Sequence, residues 1–271
     1  MIKSKLYEKV NYTQDLGLLK SCNIFEYDIE KANINILYHR GLIKEDLYEF
    51  LKKQPNIVRK VMVGKMERLN KNLTKEKALG IIEAKKMFFD KYSLEDKDIL
   101  SVRNDALFVL RKLEPVTAFD NVRFTLRNEY NLFLRVHRVQ FYYYFDMRSG
   151  KEVLHAKGIR DEIMESQKDY MVDFLKEVFH TFTIEGVTET INLIRNFYIN
   201  YTQGNYPVGY YRDLFTGLYN LNTESKVFQF KAIAPSDEIV PLIDISNNGA
   251  FLRELAKVFY TEYLRSKTRM T

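Results

Sequence analysis

Two acidic residues stand in unusually apolar surroundings. Asp28 ends the run Phe25-Glu26-Tyr27-Asp28-Ile29, and Asp105 lies within Asn104-Asp105-Ala106-Leu107-Phe108-Val109. Carboxylates on adjacent strands of one sheet can bridge a pair of divalent cations, Mg2+ or Mn2+. Such ions clamp the attacking and leaving oxygens in phosphoryl transfer. Asp is also common at strand ends, so spacing alone leaves metal binding and a purely structural role both open.

A second group is a block of cations. Residues 58–92 hold ten of the 42 Lys and Arg residues and four of the 36 Asp and Glu residues, leaving 32 of each elsewhere. The whole formal excess of +6 therefore belongs to one segment. A polyanion suits such a patch, and so does plain solvation of a basic helix face. The Tyr142-Tyr143-Tyr144 run offers alternate rings, either for stacking on bases or for packing inside a half-buried strand.

Other chemistries recede. One cysteine, Cys22, excludes a disulfide framework and a thiolate zinc cluster. The four histidines, at 39, 137, 155 and 180, lack ligand spacing. No apolar run reaches the ~18 residues of a membrane span, and the first residues lack the apolar centre of a signal peptide. A soluble, intracellular protein with no membrane partner is the expectation.

The elements that must position these residues follow from pattern. Residues 22–29 read as a strand. From Pro55 to Tyr92 the pattern is a basic helical hairpin: Val58, Met62, Met66 and Leu69 form an apolar stripe, Asn70-Lys71-Asn72 is a break, and Thr74 caps the second helix. Extended runs recur at 98–109, 121–127, 131–136 and 139–145. After Gly158, helical spacing returns through Met171–Phe182 and Val187–Tyr198, and Ser246-Asn247-Asn248 caps a last helix. The layout is α+β, with one region over 1–160 that includes the hairpin at 55–92, and a helical region over 161–271.

In this order the chain resembles the palm and thumb of family B DNA polymerases from about residue 22 to 215. Asp28-Ile29-Glu30-Lys31-Ala32-Asn33-Ile34-Asn35-Ile36-Leu37 resembles the first polymerase motif, an Asp followed by S-L-Y-P-S-I. Ser101 to Val109 resembles Y-G-D-T-D-S-I-F-V, with Asp105 at the second Asp. Glu129 to Leu134 is similar to E-x-Y-x-x-F-L, Val139-Gln140-Phe141-Tyr142 falls at K-K-R-Y, and Ala156-Lys157-Gly158-Ile159 is similar to V-K-G-I. The resemblance implies a palm built on an antiparallel sheet, a short basic fingers insert at 55–92, and a helical thumb. It also implies that Asp28 and Asp105 are the catalytic, metal-binding carboxylates.

The chain departs from the family at defined places. Arg103 replaces the first Asp of D-T-D, Asn33 replaces the tyrosine that rejects ribose, and Lys77 or Lys85 alone stands for the fingers motif. Most of the family's amino-terminal half, including its exonuclease, is expected to have no room in these 271 residues. The expectation is a largely sequence-independent nucleic-acid-binding protein, favouring RNA or single-stranded DNA, with polymerase chemistry reduced or lost. Its contacts are Arg59, Lys60, Lys65, Arg68, Lys71, Lys85, Lys86 and Lys157, with Tyr142 stacking. The alternatives are an active nucleotidyltransferase (a small primase or polymerase) using Mg2+ or Mn2+, and a subunit whose hairpin meets an acidic protein of a replication or transcription apparatus. Abundant Lys, Asn, Ile and Tyr suggest a viral or phage source, hence the host cytoplasm.

Overall fold

A computed structural model of the chain describes residues 4–146, 148–212, 214 and 242–268, and it has the expected α+β composition with antiparallel strand pairing. Of the helical region expected over 161–271, residues 213, 215–241 and 269–271 lie outside the described residues.

The strands are β1 (Asn11–Thr13), β2 (Leu18–Ile29), β3 (Ile99–Arg103), β4 (Ala106–Val109), β5 (Val116–Phe119), β6 (Val122–Val136), β7 (Val139–Phe145) and β8 (Glu152–Lys157). The helices are α1 (Ala32–His39), α2 (Glu45–Lys53), α3 (Asn56–Leu69), α4 (Lys71–Tyr92), α5 (Asp161–Ser166), α6 (Met171–Ile184), α7 (Val187–Thr202) and α8 (Leu242–Thr268).

The chain divides into two compact units, Met1–Asp15 with Cys22–Tyr130 and Leu16–Ser21 with Asn131–Thr271. Sequence pattern suggested a division after residue 160. The units part earlier because the end of β6 and all of β7 share a core with α6, α7 and α8, through Leu134, Phe141, Phe179 and Phe251.

In the first unit the strands run in the order β1-β3-β4-β2-β6, with β5 added on β6. Their core holds Phe25, Tyr27, Phe88, Val102, Leu107 and Phe124. The expected strand over 98–109 is a tight hairpin. Arg103 pairs with Ala106, and the turn between them is Asn104-Asp105. Asn104 has φ 52°, a left-handed conformation that Asn tolerates better than most residues. Runs 121–127 and 131–136 are one strand of 15 residues. The polar residues between them do not break it, because Asn128 and Tyr130 find a buried hydrogen-bond partner in β2.

Helices α3 and α4 make the expected hairpin, with a buried face that shares only part of the expected stripe. Arg59 and Val63 are buried on α3, with Met62 and Met66 packed beside them. Val58 is 39% exposed and Leu69 is 91% exposed, so the expected stripe meets the core only through its middle members, Met62 and Met66. The cap of α4 is Asn70, whose Oδ1 accepts from the Asn72 N–H at 3.1 Å, and Thr74 lies inside the helix. α4 approaches α1 closely at Gly80, where a Cβ would stand 2.5 Å from Ile36 Cγ2.

In the second unit β6, β7 and β8 pair antiparallel in that order. The expected cap at Ser246-Asn247-Asn248 lies within α8, which begins at Leu242. Asn248 is a buried polar station there: its Oδ1 accepts from Leu214 N–H and its Nδ2 donates to the carbonyls of Tyr210 and Arg212.

Candidate functional site

β2 pairs with β4 so that Glu26 faces Phe108 and Tyr27 faces Leu107. One further step of this register sets Asp28 opposite Ala106, the neighbour of Asp105 in the hairpin turn. The two carboxyl groups thus lie near enough for the charge of Asp28 to act on Asp105. Local sequence put each acid at a strand end, and non-local pairing of β2 with β4 brings them together.

Their electrostatics are strained. Asp105 is pushed up to about 6, first by burial and then by the charge and hydrogen bond of Asp28. Its own backbone N–H and the Arg127 charge pull it the other way. Asp28 Oδ2 accepts from Arg127 Nη1 at 2.5 Å, and Asp28 Oδ1 is buried with no hydrogen-bond partner among the described residues. Burial pulls Arg127 down, but the hydrogen bond and charge of Asp28, helped by Glu26, outweigh it and leave the guanidinium above its ordinary value.

Glu26 is buried two residues before Asp28. Its Oε2 accepts from Asn128 Nδ2 and from the Tyr130 hydroxyl, both at 2.7 Å. Sequence reasoning missed both Arg127 and Glu26. A charged residue inside a strand-like run is a signal, but its partner depends on which strand lies alongside.

Lys85 also belongs to this neighbourhood. It is 1% exposed on α4, and its Nζ donates to the Lys9 carbonyl at 2.6 Å. Burial pulls its ammonium down to about 8, with the Asp105 charge acting in the opposite direction. Arg103, expected beside the carboxylates, sends Nη1 to Asn11 Oδ1 at 3.4 Å. The cation that touches Asp28 is Arg127.

Three of the expected nucleic-acid contacts are corrected by burial. Lys85 is enclosed, as described. Arg59 is buried and donates to the Gln54 carbonyl and Asn56 Oδ1, both at 3.1 Å, so it fastens the start of α3. Tyr142 is buried, with its hydroxyl donating to Gln140 Oε1 at 2.8 Å and its ring 5.2 Å from Phe133. Tyr143 is buried too, and its hydroxyl donates to Glu152 Oε1. Tyr142 and Tyr143 are thus both enclosed, and of the tyrosine run only Tyr144, half-buried, reaches solvent.

The other cations remain at the surface. Lys86 pairs with Asp90 at 2.7 Å, and Lys157 is half-buried at the end of β8. Lys60, Lys65, Arg68, Lys71 and Lys75 are exposed. The four acids of the hairpin segment are all engaged: Glu67 by Lys77, Glu76 and Glu83 by Arg40, and Asp90 by Lys86. None of those five exposed cations has an ion-pair partner among the described residues.

As a metal site the carboxylate pair fits poorly. A hard divalent ion takes six or more oxygen ligands. Here one Asp28 oxygen is held by a guanidinium, and Glu26 is engaged elsewhere. Among the described residues no group of three or more His, Cys, Asp and Glu is placed to hold a metal ion. Nor is any described helix long and apolar enough to cross a membrane.

Fold and site together define an α+β protein in which a carboxylate pair, one member of it bonded to a guanidinium, shares a unit with an exposed cationic helical hairpin. The chain belongs to the bacteriophage PBS1 gene 130 protein family, whose model matches residues 1–261. No curated protein matches it.

Proposed function

We propose that this phage-family protein binds nucleic acid, RNA or single-stranded DNA in preference to duplex, on a polymerase-like scaffold whose chemistry is reduced or lost. The observation that carries the reading is the cationic hairpin. Its acids are spent on internal ion pairs, so Lys60, Lys65, Arg68, Lys71 and Lys75 meet solvent with uncompensated charge, as phosphate contacts must. Such contacts read the backbone and are largely indifferent to sequence.

Element order supports the scaffold part. Asp28 ends β2 and is followed by α1, Asp105 turns the β3–β4 hairpin beside β2, α3 and α4 fall between them, and α6, α7 and α8 follow the last strands. That is the sequence of parts expected of palm, fingers, palm and thumb. Action inside the infected host cell, with partners in replication or transcription, follows from this reading.

The test is equilibrium binding of labelled single-stranded RNA, single-stranded DNA and duplex across a salt series. Five phosphate contacts on a single strand give a slope of about −3.5 in log affinity against log salt. Replacing Lys60, Arg68 and Lys71 together by Glu should abolish most of the affinity and flatten the slope. A slope near zero, or affinity unchanged in the triple variant, refutes the reading.

A second reading, an active nucleotidyltransferase, is favoured by one observation: Asp28 and Asp105 lie near enough for the charge of one to act on the other. Primer extension and de novo synthesis with Mg2+ or Mn2+ separate the two. Product lost in both Asp28→Asn and Asp105→Asn supports catalysis, and no product with intact binding supports the first reading.

A further inference from the structure

We infer that Arg127 takes the place of a divalent cation at the Asp28–Asp105 pair. Two carboxyl groups held together need a neutralising charge, and the protein supplies it from β6. Arg127 Nη1 is 2.5 Å from Asp28 Oδ2, a charge-assisted hydrogen bond from a group that stays protonated at any pH the fold survives.

Three features make this a substitution for a metal ion rather than an addition to one. The guanidinium occupies one of the two Asp28 oxygens, so an ion approaching that carboxylate meets a like charge at contact distance. The next carboxylate along the strand, Glu26, is fastened by Asn128 and Tyr130 and is not available as a third ligand. The other Asp28 oxygen, Oδ1, is buried and has no hydrogen-bond partner among the described residues, so Asp28 offers an ion one open oxygen where a hard divalent cation takes six or more ligands. Arg127 itself is 60% exposed and is anchored on its inner side by Asp28, so its removal opens the carboxylate without emptying the core.

The inference deepens the reading of lost chemistry and does not depend on nucleic-acid binding. Its test contains no nucleic acid: Mn2+ binding to the full chain at pH 8, followed by titration calorimetry and by the electron paramagnetic resonance signal of free Mn2+. Arg127→Met should bind Mn2+ at least tenfold more tightly than the wild type, and the gain should vanish in Arg127→Met combined with Asp28→Asn. A gain below tenfold, or one that survives Asp28→Asn, overturns the proposal. A second measurement holds even if Arg127→Met fails to fold. Asp28→Asn in the otherwise wild-type chain should leave Mn2+ affinity unchanged, and loss of a wild-type Mn2+ site in that variant overturns the proposal equally.

Discussion

Asp105→Asn should stabilise the protein at neutral pH and leave its stability unchanged in acid. In the folded chain Asp105 is pushed from an ordinary 3.8 up to about 6 by burial and by Asp28. The native state therefore holds a proton that the unfolded chain releases between those two values, and stability falls as pH rises through that window. Moving a carboxyl over this range corresponds to about 3 kcal/mol. Partial solvent access at the turn reduces the expected gain to about 1–3 kcal/mol. An Asn amide mimics the protonated acid and can donate to the unsatisfied Asp28 Oδ1. Urea unfolding at pH 4, 5, 6 and 7.5 reads the difference directly. At pH 4 the variant and wild type should unfold at the same concentration, and by pH 7.5 the variant should be the more resistant. Asp28→Asn removes the repelling charge, so the fall between pH 4 and 6 should shrink in that background. A variant less stable than wild type at pH 7.5, or a difference independent of pH, means that the two carboxyl groups do not meet as described.

Lys85 yields a prediction of opposite sense. Its folded value near 8 lies below the ordinary 10.5, so the unfolded chain binds the extra proton and wild-type stability should rise between those values, by up to about 3 kcal/mol. Lys85→Met should lack that rise in denaturation curves taken from pH 8 to 10.5, and a persisting rise places its origin elsewhere. Gly80→Ala pushes a methyl group to 2.5 Å from Ile36 Cγ2 and should cost about 1–3 kcal/mol in urea or thermal unfolding. An unchanged midpoint there contradicts the close approach of α1 to α4.

Much of the architecture was legible in the chain because its signals are local. Hydrophobic spacing marks α6 and α7, the break near Asn70 marks the hairpin, and the charge block at 58–92 marks its surface. Side-chain fate was less legible. Leu69 completes an apolar stripe on paper yet is 91% exposed, while Arg59 is buried by bonds to its own helix start. Asn128 and Tyr130 read as a break between strands, because nothing nearby in sequence reveals that Glu26 will accept their hydrogen bonds.

The sequence by itself determined the α+β order of elements, the confinement of excess positive charge to one hairpin, and two acids at strand ends. Each depends on residues within a few positions of one another, where helical and strand periods and turn chemistry act. Only the tertiary structure decided that the acids meet, that Arg127 neutralises one of them, and that Lys85 and Tyr142 are enclosed. Those outcomes depend on strand register and on packing between residues as far apart as Asp28 and Arg127, and pairing at that separation is set by the fit of the whole sheet.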